Sequence, residues 1–176
     1  MIIIGEKINS TLKAIRPAME SRDKAAIQDL ARRQVEAGAT FIDVNAGMFY
    51  DNEIEILEWL IDSIQEITTA PLAIDSPNAR AMLAGLKANR NGKPILNSIT
   101  GEKERFESVL PLVLEYGTGV IGLCMDDRGM PETTAERVEI AETLIRNLTR
   151  EGVAPGDIYI DPMIRPIGTG SHYGIV

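Results

Sequence analysis

Short apolar runs alternate with longer amphipathic stretches along this chain. The runs at residues 2–4, 40–44, 72–74, 94–96, 119–125 and 158–160 are bounded by turn-forming or helical stretches, and each predicts a strand. Between them, Ile27, Leu30, Ala31 and Val35 recur at helical spacing over 24–37, with Asp23 placed to cap the helix and Gly38 to stop it. Ile54, Leu57, Leu60, Ile61 and Ile64 repeat the pattern over 52–68. Further helices are predicted over 78–88, over 102–116 with Gly117 ending it, and from a Thr133 or Thr134 cap to about residue 150. A short helix within 10–21 would carry Pro17 near its middle. Residues 89–92 and 126–131 read as turns, and 161–176 as loop.

Six strands and five main helices in strict alternation are the signature of βα units and a parallel sheet, so the class is α/β. Residues 119–125 are nearly all apolar, which predicts a strand buried on both faces. No linker, low-complexity tract or charge block divides residues 1–176, so a single domain is expected.

Polar residues recur where the apolar runs end: Asp43 with Asn45, Asp75, Asn97 and Asp161. After Asp75, Ser76 offers a helix cap and Pro77 fits a first helical turn. Taken singly, an Asp after a strand is more often a cap or turn former than a site residue. In a β/α barrel, however, the C-terminal strand ends converge on one rim and build the active site. A closed barrel takes eight strands and about 250 residues. The 176 residues present here stop after the sixth strand. The reading is therefore a (β/α)8 barrel with six strands present, incomplete at its C-terminus as a fragment or an incomplete gene product. The alternative is a complete, open six-stranded sheet.

Carboxylates and carboxamides with little positive charge among them suit a neutral ligand rich in N–H groups. A carboxylate accepts two parallel hydrogen bonds from a flat amino-pyrimidinone edge, and a carboxamide matches a mixed edge. A phosphorylated substrate would call for a convergence of Lys, Arg or a glycine-rich anion loop, and only Lys7 and Arg165 are candidates.

The net charge of −8 disfavours nucleic acid as a partner. No apolar run approaches the roughly 18 residues of a membrane span. Glu6 and Lys7 interrupt the apolar start, which argues against a secretory signal. The single cysteine, Cys124, precludes an intrachain disulfide, fits a reducing, cytoplasmic compartment and reads as a small core residue rather than a nucleophile. Trp59 and the methionines read as core or helix-face residues. With one His, His172, and one Cys, zinc sites of the His/Cys type are excluded and no metal site is expected. A Ser-His-Asp arrangement would need His172, and no Gly-x-Ser-x-Gly turn is present. The glycines between 168 and 174 miss the dinucleotide fingerprint by one residue.

Five segments occur in order: Ile4-Gly5-Glu6-Lys7-Ile8-Asn9, Ile42-Asp43-Val44-Asn45, Ile74-Asp75-Ser76, Leu96-Asn97-Ser98 and Tyr159-Ile160-Asp161-Pro162. Together they resemble the pterin-binding methyltransferases that move a methyl group between tetrahydrofolate and a corrinoid protein. Ala84-Gly85-Leu86-Lys87 and Asn97-Ser98-Ile99 are similar to the folate module of cobalamin-dependent methionine synthase. The resemblance implies a (β/α)8 barrel in which Asp75, Asn97 and Asp161 hold the pterin ring and Asp43 and Asn45 line the same cavity. It implies tetrahydrofolate or methyltetrahydrofolate as substrate, a corrinoid (cobalamin) supplied by a partner protein, and a homo-oligomer, most simply a dimer. Dihydropteroate synthase shares the fold, but its Thr-Pro-Asp-Ser-Phe stretch is replaced here by Ser10-Thr11-Leu12-Lys13 after Asn9. A synthase of that kind and a non-catalytic pterin-binding chain remain the alternatives. The family's further asparagine near N5, on a later strand, has no counterpart before Val176, so no catalytic residue is assigned and very low turnover is expected of this chain alone.

Overall fold

A computed structural model describes residues 1–164. The chain forms two compact units, Met1–Asn97 and Ser98–Val176.

The first unit contains β1 (Ile4–Asn9), α1 (Arg16–Glu20), α2 (Lys24–Glu36), β2 (Phe41–Asn45), α3 (Glu53–Gln65), β3 (Leu72–Asp75) and α4 (Ala79–Ala88), and the start of β4 (Ile95–Gly101). β1 pairs with β2, β2 with β3 and β3 with β4, all parallel. Ile42, Val44, Leu72, Ile74 and Leu96 are fully buried. The helices lie against the face that Ile74 presents. A Cβ on Gly85 of α4 would stand 2.9 Å from Ile74 Cγ2 and 3.2 Å from Ile61 Cδ1, so α4 approaches β3 as closely as it does only because residue 85 has no side chain.

Local chemistry explains most boundaries. Asp23 caps α2 by accepting from Ala26 N–H at 3.0 Å, and Gly38, at φ +98°, follows its end. Glu53 and Glu55 lie in the first turn of α3, where the helix dipole favours negative charge.

Four boundaries differ from the sequence-based expectation. Strand β1 shares only Ile4 with the expected run at residues 2–4 and continues through Asn9. Ile4 and Gly5 pair with Phe41 and Ile42, and Ile8 and Asn9 with Val44 and Asn45, so one extra residue bulges between Gly5 and Ile8. Gln34 stabilises the bulge, its Oε1 accepting from Lys7 N–H at 2.8 Å. Ile2 and Ile3 remain about half exposed. Helix α1 is only five residues long because Pro17, lacking a donor, fits its first turn and not its middle. The cap of α4 is Asn78, whose Oδ1 accepts from Arg80 N–H at 3.0 Å, and Ser76 is turned instead towards Glu53. β4 runs to Gly101, which places Asn97 inside a strand rather than after one.

The second unit, described through residue 164, carries the end of β4, α5 (Lys103–Tyr116), β5 (Gly119–Asp126), α6 (Thr134–Arg150), a 3-10 turn and β6 (Ile158–Asp161). β5 and β6 pair in parallel. Gly117 ends α5 in the left-handed region. Thr133 begins α6 with a capping box completed by Glu136. Cys124, Ile140 and Leu144 form the buried centre, flanked by Phe106, Ala141, Ile160 and Met163. Burial along β5 alternates rather than covering both faces. Val120, Gly122 and Cys124 are buried, and Ile121, Leu123 and Met125 keep partial exposure, because α6 packs over one side only.

Cys124 is 1% exposed, and burial, then the charge of Asp161, push its thiol pKa up, so it packs as an apolar side chain. Trp59 lies on a helix face beneath the Arg22 guanidinium, 5.1 Å from the ring centroid. Met19 and Met82 are core residues. No described helix is long and apolar enough to cross a membrane.

Candidate functional site

Four of the five sequence-predicted side chains come together in the first unit. Parallel register sets Asn45 beside Asp75 and Asp75 beside Asn97, so three adjacent strands present these side chains at one level on one face. Asp43 shares that face two residues before Asn45, and its neighbour on β3 is the small Ala73. Ile42, Val44, Ile74 and Leu96 alternate with them and point to the opposite, helix-covered face.

The set is cross-linked. Asn45 Nδ2 donates to Asp75 Oδ2 at 2.9 Å, and Asn97 Nδ2 donates to Asp43 Oδ1 at 3.1 Å. Asp43 and Asn45 are buried, while Asp75 and Asn97 are partly exposed. The two residues of β2 thus form a floor, and those of β3 and β4 reach the surface above it.

Burial, then the charge of Asp75 and, more weakly, that of Glu6, push the Asp43 carboxyl up to about 8, although the Asn97 hydrogen bond pulls the other way. Asp43 therefore holds its proton at neutral pH and carries an O–H. The site offers acceptors on Asp75, both polarities on Asn97 and a neutral acid beneath, which fits a flat heterocycle with donors and acceptors along one edge.

Asp161 belongs to the second unit. It ends β6, is exposed, and accepts from Met163 N–H through Oδ1 at 2.8 Å. Arg165, His172 and the glycine run from 168 to 174 lie outside the described residues.

Two supports escaped the sequence reading. Ser10 is fully buried after β1 and donates to Asn45 Oδ1 at 2.8 Å. Glu53 at the start of α3 is 6% exposed and accepts from the Ser76 hydroxyl and, at 3.3 Å, from Asn78 Nδ2. It ties down the loop that follows Asp75. In sequence a Glu in a first helical turn reads only as dipole complement, and a Ser after a strand only as loop, so neither announces burial.

Residues 5–173 match the model of the pterin binding enzyme family. The chain belongs to the pterin-binding enzymes. It is 35% identical over 175 residues to the methylcorrinoid:tetrahydrofolate methyltransferase of Eubacterium limosum, an alignment covering 98% of this chain and 64% of that protein. It is 30% identical over 179 residues to the methionine synthase of Mycobacterium leprae, covering 98% of this chain and 15% of the other. The chain thus spans less than two thirds of the length of these relatives. Among solved structures, a Xanthomonas albilineans dihydropteroate synthase in complex with indole-2-carboxylic acid and 6-chloroguanine superposes with a TM-score of 0.71 at 21% identity, over 92% of this chain and 59% of that one. The same enzyme in complex with 7,8-dihydropteroate gives 0.69 at 17% identity, over 99% and 63%. These similarities establish the fold of this pterin-binding chain as the β/α-barrel type expected from its strand and helix alternation.

Proposed function

We propose that this pterin-binding chain holds the headgroup of tetrahydrofolate or methyltetrahydrofolate and serves methyl transfer between its N5 and the cobalt of a corrinoid protein. The observation that carries the reading is the hydrogen-bonded cluster of Asp43, Asn45, Asp75 and Asn97 on one sheet face. It is supported by the 35% identity, over nearly the whole chain, to a protein named for methylcorrinoid and tetrahydrofolate.

In this reading Asp75 accepts from the N–H groups of the amino-pyrimidinone edge, and Asn97 matches its mixed donor and acceptor positions. Asp43 and Asn45 hold those two side chains in place from below. Asp161 enters the proposal from its motif, as a further acceptor for the ring. The corrinoid, brought by a partner protein, supplies the cobalt that gives or takes the methyl group. Loss of methyl from N5 is helped by any donor that strengthens its bond to N5 as the electron pair arrives there. The same reading includes self-association as a dimer and a cytoplasmic setting.

Titration of the chain with methyltetrahydrofolate tests the binding half of the proposal, and saturable binding is expected. Added cob(I)alamin, followed by the appearance of methylcobalamin, tests the transfer half. A chain that binds no folate sinks the proposal.

A further inference from the structure

We infer that Ser10 is a positioning residue for the pterin site: its buried hydroxyl fixes the Asn45 amide, which in turn fixes the carboxylate of Asp75. The inference rests on the binding reading above and assigns a part to a residue outside the motifs.

Ser10 is held from every side. Its backbone N–H donates to Asn45 O at 3.0 Å, and its carbonyl accepts from Arg16 Nε at 2.9 Å. Its hydroxyl oxygen accepts from Met48 N–H at 3.0 Å, and the hydroxyl proton goes to Asn45 Oδ1 at 2.8 Å. Asn45 Oδ1 also accepts from Gly47 N–H at 3.1 Å. The opposite end of the amide, Nδ2, donates to Asp75 Oδ2 at 2.9 Å.

The direction of this relay is set by groups that cannot reverse. The N–H groups of Met48 and Gly47 can only donate, and the carboxylate oxygen of Asp75 accepts. A flipped Asn45 would set its NH2 against the Gly47 N–H and its oxygen against the Asp75 carboxylate. The network therefore admits one amide orientation, and Ser10 supplies the second donor that holds it. A carboxylate gripped in this way meets an incoming ring in one plane, which lowers the ordering cost of binding.

Ser10→Ala removes that donor and the acceptor for Met48 N–H, leaving the Gly47 N–H and the Asp75 carboxylate to hold the Asn45 amide less firmly. Ser10→Thr keeps the hydroxyl. The test uses the full chain with 15N labelling and reads two signals. The first is hydrogen exchange of the Asn45 side-chain NH2, which needs no ligand. The second is the dissociation constant for methyltetrahydrofolate. In the wild type the Asn45 NH2 is expected to be protected. In Ser10→Ala its exchange quickens at least about tenfold, the dissociation constant rises about three- to tenfold, and Ser10→Thr restores both. Wild-type affinity in Ser10→Ala, with an unmoved Asn45 signal, overturns the inference. If the wild type binds no folate, the functional reading falls and the amide signal alone decides Ser10. If Ser10→Ala does not fold, the wild-type signal decides it: an Asn45 NH2 exchanging as fast as an exposed amide refutes the relay.

Discussion

The side-chain amide of Asn97 donates to the carboxyl of Asp43, Nδ2 to Oδ1 at 3.1 Å, across 54 residues of sequence. The bond joins β2 to β4 across the intervening β3, over the small side chain of Ala73, and places a buried acid directly beneath a residue of the proposed ligand site.

That acid makes stability depend on pH. Asp43 titrates near 8 in the folded chain against an ordinary 3.8, so the folded state keeps a proton that the unfolded state releases. The contribution of Asp43 to stability is then fully present below about pH 4, is lost as pH rises towards 8 and levels off above it, a loss on the order of a few kcal/mol across the window. Asp43→Asn cannot titrate, so its stability profile should be flatter by that amount. Urea unfolding between pH 5 and 8 measures both proteins, and parallel curves would contradict the buried neutral acid.

Asp75→Ala removes the partly exposed carboxylate that accepts from Asn45 and faces the proposed ligand. It should weaken methyltetrahydrofolate binding by roughly 1.5–3 kcal/mol, the range for a hydrogen bond to a charged group. Calorimetric titration that returns the wild-type affinity would take Asp75 out of the site.

Asp161→Asn keeps an oxygen to accept from Met163 N–H, so the end of β6 should survive. Pterin affinity should fall while the far-UV circular dichroism stays unchanged. Collapse of that spectrum would make Asp161 a structural residue instead.

Glu53→Ala deletes the buried acceptor shared by the Ser76 hydroxyl and Asn78 Nδ2. A loss of about 1–3 kcal/mol of folding stability is expected, since the buried Ser76 hydroxyl loses a buried carboxylate acceptor, while the exposed Asn78 amide can turn to water. Glu53→Gln, which keeps one acceptor oxygen, should lose less. A urea midpoint unchanged in Glu53→Ala would show that the loop after Asp75 is held by other means.

The alternation of strands and helices was legible because it rests on periodicity and local caps. Asp23, Gly38, Gly117 and Thr133 act where their chemistry says they should. Errors fell where a distant residue decided the outcome. The apolar residues 2–4 look like a strand, but the bulged pairing with β2 and the Gln34 side chain place β1 on Ile4–Asn9. Ser76 looks like a cap, but a buried Glu53 from another helix claims its hydroxyl.

By itself, the order of residues determined the α/β class, the family motifs and which acids and amides end or interrupt the apolar runs, because these depend on spacing and side-chain type. Only the tertiary structure decided which of them support and which face outward. Parallel register sets Asn45, Asp75 and Asn97 side by side, and burial turns Asp43 into a neutral acid, since a charge cut off from water is costly and a carboxyl escapes that cost by keeping its proton.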